Sequence, residues 1–279
     1  MKVLILGGTG FVGRAIAALL PGRELFNRGR DATMPGLVGD RDTGDYTALR
    51  SGTWDAVVDC SGYLPRHVGE AMDALEGRVG RYLFISSHVV LDGMVARRDA
   101  VLPLTDATYG PSKVACEQDI KQRYGDRATI VRPGKVAGPH DNQSGLTHWV
   151  RLAARAGAAS RGVVEVPGAL TQPVQLVDSR DLAAFVARLL HDDRGGEWTA
   201  VGDTVSLGDL IHTCAQAAGT TVSLREVPPV ATRVPLIKDP SLWATQHRDP
   251  APARAAGLPA TPLLKTAADV LAWDRTATA

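Results

Sequence analysis

A phenol and an ammonium group stand four residues apart in Tyr109-Gly110-Pro111-Ser112-Lys113. A four-residue step on a helix returns to the same face, so Tyr109 and Lys113 project together and can cooperate in moving a proton. Pro111 fits the first turn of such a helix, where its missing N–H costs nothing. Upstream, Ser86 and Ser87 close an apolar run that begins at Tyr82 and carry hydroxyls able to hold an oxygen. Their plainer reading is strand-end capping.

A second constellation, Gly7-Gly8-Thr9-Gly10-Phe11-Val12-Gly13, directly follows the run Val3 to Leu6 and opens a helical pattern from Phe11 to Leu20. There Gly7 allows a tight turn, Gly10 lets the backbone approach a pyrophosphate, and Gly13 lets helix and strand pack closely. Free N–H groups at the helix start attract phosphates. An NAD-selective site usually carries an acid at the end of the next strand, but here stand Asn27, Arg28, Gly29 and Arg30. Arg28 can clamp a 2′-phosphate bidentately, Arg30 adds charge, and Asn27 brings no repelling carboxylate. NADP(H) is the expected cofactor; two solvated surface arginines are the plainer alternative.

The elements that must position these groups alternate. Short apolar runs at Val3-Leu6, Glu24-Phe26, Ala56-Asp59, Tyr82-Ser86, Thr129-Val131 and Val174-Val177 are separated by helical patterns. Those patterns cover Phe11-Leu20, His67-Leu75, Ser112-Tyr124, Asp181-Leu190 and Leu207-Ala218. Such alternation predicts βαβ units in a doubly wound parallel α/β sheet that continues past the middle of the chain. Two segments break it, Gly138-Val166 and Val222-Ala279. The second is dense in proline, which predicts short elements joined by turns and no long helix. The expected organisation is a Rossmann domain at 1-139 and 167-205. A small, discontinuous substrate lobe at 140-166 and 206-279 packs over the carboxyl edge, with the active site between them.

Composition narrows the function classes. With 279 residues, 44% hydrophobic and 22% charged, the chain has the makeup of a folded globular protein rather than a disordered or fibrous one. A net charge of +1 from 31 basic and 30 acidic residues leaves no electrostatic footprint for nucleic acid or anionic membrane, so a small-molecule partner is expected. No apolar run approaches the ~20 residues of a membrane-spanning helix, and the glycines of the first loop interrupt any signal-peptide pattern. Cys60, Cys116 and Cys214 are odd in number and far apart, which points to a reducing cytoplasm. None of the seven histidines sits in HExxH or pairs with cysteine at zinc spacing, so no metal is expected. Ser87-His88 has no GxSxG elbow around it, which argues against a hydrolase.

The GGTGFVG loop, Ser86-Ser87, the Tyr109 to Lys113 segment and Arg132-Pro133-Gly134 occur in an order and spacing that resembles an extended short-chain dehydrogenase/reductase. That group lies within the NAD-dependent epimerase/dehydratase superfamily. Asp178-Ser179-Arg180-Asp181-Leu182-Ala183 carries the resemblance to about residue 190. It implies that Tyr109 exchanges a proton with a carbonyl oxygen as hydride moves, that Ser87 holds the same oxygen, and that Lys113 binds the nicotinamide ribose and lowers the phenol pKa. It also implies cofactor contacts at Thr9, Phe11, Val12, Asp40, Ser61, Gly62, Pro133 and Val136. Without the family, Asp40 is an ordinary turn aspartate.

Relatives that act on nucleotide sugars carry an arginine where this chain has Val174, which lowers the expectation of a substrate pyrophosphate. The loop 92-108 and the stretch 140-149 should flank the pocket, making His88, Met94, His140 and Trp149 substrate candidates. For Trp149 the alternative is lobe packing on a helix Thr147-Ala156. The expected function is NADP(H)-dependent reduction of a carbonyl or oxidation of an alcohol on a small organic molecule. The alternative is an epimerase or dehydratase with a retained nicotinamide. A third reading, a non-enzymatic NADP(H)-sensing or RNA-associated protein, fits the Ser87, Tyr109 and Lys113 set less well. The resemblance also suggests a homodimer paired through two long helices beside the sheet.

Overall fold

The computed structural model describes residues 1–158, 162–230 and 232–277, which divide into two compact units. The first comprises Met1–Pro133, Leu182–Ala200 and Ala256–Leu258. Its strands are β1 (Val3–Leu6), β2 (Arg23–Asn27), β3 (Leu37–Val38), β4 (Trp54–Asp59), β5 (Val79–Ile85) and β6 (Ala128–Pro133), with β10 (Gly196–Ala200) returning late in the chain. They form one parallel sheet in the order β10-β6-β5-β4-β1-β2-β3. The expected doubly wound α/β architecture is present.

The central strand β1 reads VLIL and is buried at all four positions, as a parallel strand covered on both faces must be. Leu4 and Leu6 share one face with Val57, Tyr82, Phe84 and Ile130, the period-2 pattern of neighbouring strands in register. That face is covered by Val68, Ala71 and Met72 of α2 (Pro65–Ala74) and by Cys116 and Ile120 of α3 (Asp106–Tyr124). α1 (Phe11–Leu19) inserts Ile16 and Ala17, both fully buried.

α3 begins six residues earlier than its sequence pattern suggests. Thr105 and Thr108 form a capping box in which the Thr108 hydroxyl accepts the Thr105 N–H at 2.9 Å, which starts the helix at Asp106. Pro111 therefore lies inside the helix rather than in its first turn, and its carbonyl accepts the Arg97 N–H at 3.0 Å.

The second unit comprises Gly134–Asp181, Val201–Ala255 and the chain from Pro259 on. β7 (Lys135–Ala137), β9 (Pro173–Asp178) and β11 (Thr204–Ser206) make a three-stranded sheet with β9 central, and β8 (Val163–Val166) pairs with β12 (Ser223–Glu226). α4 (Gly145–Ala158), α6 (Leu207–Ala217) and α8 (Leu263–Ala277) bury Trp149, Leu210, Ile211, Val270 and Leu271 in a common core. α5 (Ser179–His191) runs from this unit into the first, and the short α7 is Ala251–Ala255.

Three expectations are corrected here. The Val174-Val177 run is a strand, but it pairs with β7 and β11 instead of extending the main sheet. Residues 134–139, 167–181 and 201–205 accordingly group with the second unit, which is not a small lobe. The proline-rich tail ends in a helix of 15 residues, because Pro262 is the last proline and no glycine follows it.

Candidate active site

At the end of β1 the chain turns at Gly7, whose φ of +82° is a left-handed conformation that glycine adopts without strain. The Gly7 N–H donates to the Phe26 carbonyl at 3.0 Å, and the Gly10 N–H donates to the Gly7 carbonyl at 3.1 Å. A Cβ on Gly13 would lie 2.2 Å from that same carbonyl oxygen, so only glycine lets α1 close on the loop. Gly10 caps α1 with no side-chain hydrogen bond, and the first turn carries no acidic residue. The helix start, with Phe11 and Val12 half-buried beside half-buried Thr9, presents backbone donors and a favourable dipole to an anion. Ser61 abuts the loop: a Cβ on Gly7 would sit 2.7 Å from the serine Cβ.

At the end of β2 the Asn27 side chain is buried and accepts the Gly29 N–H at 2.7 Å, which shapes the turn. Arg28 and Arg30 are exposed on it, and one Arg28 nitrogen stands 3.9 Å from the Asp42 carboxylate. Asp40 bridges Asp45 through the backbone, and its carboxylate accepts the Asp42 N–H at 2.9 Å.

Beside it lies an ion pair that sequence reasoning did not find. Arg41 donates to both carboxylate oxygens of Asp59, at 2.6 and 2.9 Å, and to the Ser61 hydroxyl and the His67 carbonyl. Asp59 also accepts the Tyr82 hydroxyl at 2.7 Å and the Ser61 N–H at 3.0 Å. Burial alone would raise the Asp59 carboxyl, but the Arg41 charge and these donors outweigh it and hold it below the usual range. The only sequence signal was an aspartate ending the apolar strand Val57-Val58-Asp59.

β5 and α3 bring the proton-handling groups together. Ser86 is 4% exposed, and its hydroxyl donates to Glu117 at 2.5 Å. Ser87 stands beside the half-buried Tyr109 phenol, and its hydroxyl accepts the Val89 N–H at 3.5 Å. Of the two serines, Ser87 is the one beside the tyrosine, while Ser86 turns to Glu117. Lys113 is 2% exposed and donates to the Gly62 carbonyl at 2.8 Å and the Ile85 carbonyl at 3.0 Å, with its ammonium 4.3 Å from the Phe84 ring centre. Gly62 is confined by Phe84, Val68 and Asp59, each within 2.9 Å of where a Cβ would be, so the carbonyl that meets Lys113 is fixed.

The expected depression of the phenol pKa is not found. Burial raises Tyr109 above its ordinary value of 10.0 against the opposing influence of the neighbouring Ser87. Lys113, itself pushed down by burial, directs its donors at two carbonyls.

The remaining candidates divide. His88 is buried in the short turn after Ser87, and Met94 packs on Gly110, where a Cβ would come within 1.9 Å of its sulfur. Pro133 is buried at the end of β6, whereas Val136 lies on β7 in the second unit, paired with Val177. His140, at φ +70°, sets its ring 5.3 Å from Trp273. Trp149 is fully buried in the core of the second unit, its indole donating to the Pro235 carbonyl at 2.9 Å, so the packing alternative describes it. Among the described residues no three His, Cys, Asp or Glu side chains gather as metal ligands, and no helix is long and apolar enough to cross a membrane.

A family model described as the NAD dependent epimerase/dehydratase family matches residues 54–204. No curated protein matches the sequence. Among solved structures, RMD from Pseudomonas aeruginosa complexed with NADPH aligns with TM-score 0.69 at 20% identity, covering 99% of this chain and 98% of that one. UDP-glucose 4-epimerase of Thermus thermophilus, in complex with NAD, aligns with TM-score 0.70 at 17% identity over 99% and 100%. The Bordetella bronchiseptica enzyme WbmF, in complex with NAD+, aligns with TM-score 0.72 at 16% identity over 99% and 93%. At these identities the likeness establishes the fold.

Proposed function

Since the chain belongs to the NAD dependent epimerase/dehydratase family, we propose that it is an NADP(H)-dependent oxidoreductase that reduces a carbonyl, or oxidises an alcohol, of a small organic molecule. The observation that carries this reading is the placement of the half-buried Tyr109 phenol beside Ser87, one helical turn from the buried Lys113 on α3, with burial holding the phenol protonated through neutral pH. A proton donor and a second hydroxyl beside one substrate oxygen are what carbonyl reduction requires.

The residues fit a dinucleotide. Gly7 and Gly13 leave no room for a Cβ against Ser61 and the Gly7 carbonyl, which keeps the loop tight, and the uncapped start of α1 offers N–H groups to a pyrophosphate. Exposed Arg28 and Arg30 suit a 2′-phosphate, with Asp40, Ser61 and Gly62 alongside. When bound, a nicotinamide would supply or accept hydride at the substrate carbon. Tyr109 gives its proton to the substrate oxygen, Ser87 fixes that oxygen by hydrogen bonding, and Lys113, which ties the end of β5 to Gly62, would hold the nicotinamide ribose.

A fluorescence titration with NADPH and NADH in parallel, on wild type and Arg28→Ala, tests the cofactor assignment. The expected result is a preference for NADPH that Arg28→Ala reduces about tenfold, with NADH affinity within about twofold of wild type. Equal losses for both would make Arg28 a surface residue. The family match also supports the second reading, an epimerase or dehydratase. That reading requires nicotinamide retained through purification and no net change in NADPH absorbance during turnover.

A further inference from the structure

Three consecutive residues at the C-terminal end of β5 each meet α3. The Ile85 carbonyl accepts the Lys113 ammonium at 3.0 Å, the Ser86 hydroxyl donates to Glu117 Oε1 at 2.5 Å, and Ser87 stands beside Tyr109. Tyr109, Lys113 and Glu117 follow one another at four-residue steps and so form a single stripe along the helix. Glu117 is 3% exposed, and a carboxylate so buried needs its charge met. Arg132 on β6 meets it: Nε donates to Oε1 at 3.0 Å and Nη2 to Oε2 at 2.5 Å. The other end of the guanidinium reaches Glu197 on β10 at 2.6 Å, and Lys121 of α3 reaches Glu197 at 2.7 Å. The Glu117 carboxylate is therefore held by Ser86 at the end of β5 and by Arg132 of β6, and Arg132 is itself braced by Glu197 of β10.

We infer that Glu117 is a positioning residue: by anchoring the Ser86 hydroxyl it sets the Ser87 hydroxyl against the Tyr109 oxygen. Ser87 lies one peptide unit beyond the anchor, so rotation released at Ser86 moves the Ser87 side chain. Tight geometry matters because misplacing a substrate-orienting group by about 1 Å can cost about 100-fold in rate. The inference rests on the reading of Tyr109 and Ser87 as the groups that serve the substrate oxygen.

Ser86→Ala is the principal variant, since it removes one hydroxyl and leaves the Glu117–Arg132 pair intact; Glu117→Gln is the second. Two readouts are needed. In crystal structures of wild type and Ser86→Ala, the variant's Ser87 side chain should leave Tyr109, and an unmoved Ser87 overturns the inference without any substrate. In NADPH-dependent turnover of a carbonyl panel, both variants should lose about 10- to 100-fold in kcat with KM and NADPH affinity within about twofold, and Ser86→Thr, which keeps the hydroxyl, should recover most of it. A lowered Tm with wild-type kcat would make Glu117 a structural residue only. Tyr109→Phe run in the same assay separates the failures: an active Tyr109→Phe sinks the proposed function. An inactive one beside a fully active Ser86→Ala sinks only the positioning role.

Discussion

The Tyr109 phenol decides at which pH the chain can act in each direction. Burial raises its pKa above the ordinary 10.0 despite the opposing influence of Ser87, so the protonated form, the proton donor, persists through neutral pH. Carbonyl reduction should therefore be flat through neutral pH and fall only as the pH rises through the elevated pKa, whereas alcohol oxidation, which needs the phenolate, should climb over the same range. Tyr109→Phe should lower kcat by about 100- to 10,000-fold and leave NADPH affinity nearly unchanged, because only the proton donor is lost. A pH–rate profile in both directions, with the variant as control, checks this. The pair itself was legible in the spacing of Tyr109 and Lys113. The direction of the shift was not, because burial depends on what β5 and the chain around Gly62 place around the two side chains.

At the scale of elements, the glycine loop was readable because a strand, a glycine-rich turn and a helix follow each other without interruption. The structure adds why one of its positions tolerates nothing else. Gly13→Ala would push a methyl group into the Gly7 carbonyl and against Gly8, both backbone and unable to move aside. The expected cost is about 1–3 kcal/mol of stability together with loss of NADPH binding, measured by denaturant unfolding and titration. By contrast, β9 was recognised as a strand but assigned to the wrong sheet. Apolar periodicity identifies a strand and is silent about its partner, and its neighbours β7 and β11 are only three residues each. α8 is masked in the sequence by the proline density of the tail as a whole, which falls to zero after Pro262.

For the whole molecule, acid sensitivity has a specific origin in unit 1. The His67 side chain is 2% exposed, and burial, reinforced by Arg41 and Arg66 against the attraction of Asp42, lowers its pKa to about 4. The unfolded chain would protonate it near 6.5. The stability this contributes is fully present above about pH 6.5 and is lost as the pH falls toward about 4, where the unfolded state binds the extra proton. Wild type should lose several degrees of Tm between pH 7 and 4.5 beyond the loss of His67→Phe, and parallel curves for the two proteins would refute the assignment.

The Arg41–Asp59 pair also sets how the first unit comes apart. Arg41 sits on the connection after β3 and Asp59 on the central sheet, eighteen residues away, with Tyr82 of β5 donating to the same carboxylate. Peeling that connection away by itself would strand a buried carboxylate, at a cost of about 3–5 kcal/mol. A surface loop would ordinarily breathe independently of the sheet beneath it. Here the amide hydrogens of Asp40 and Asp45, which bond each other's carbonyls at 3.0 and 2.9 Å, should exchange with solvent as slowly as those of β4. In Asp59→Asn they should exchange ahead of the sheet, turning one cooperative opening into two.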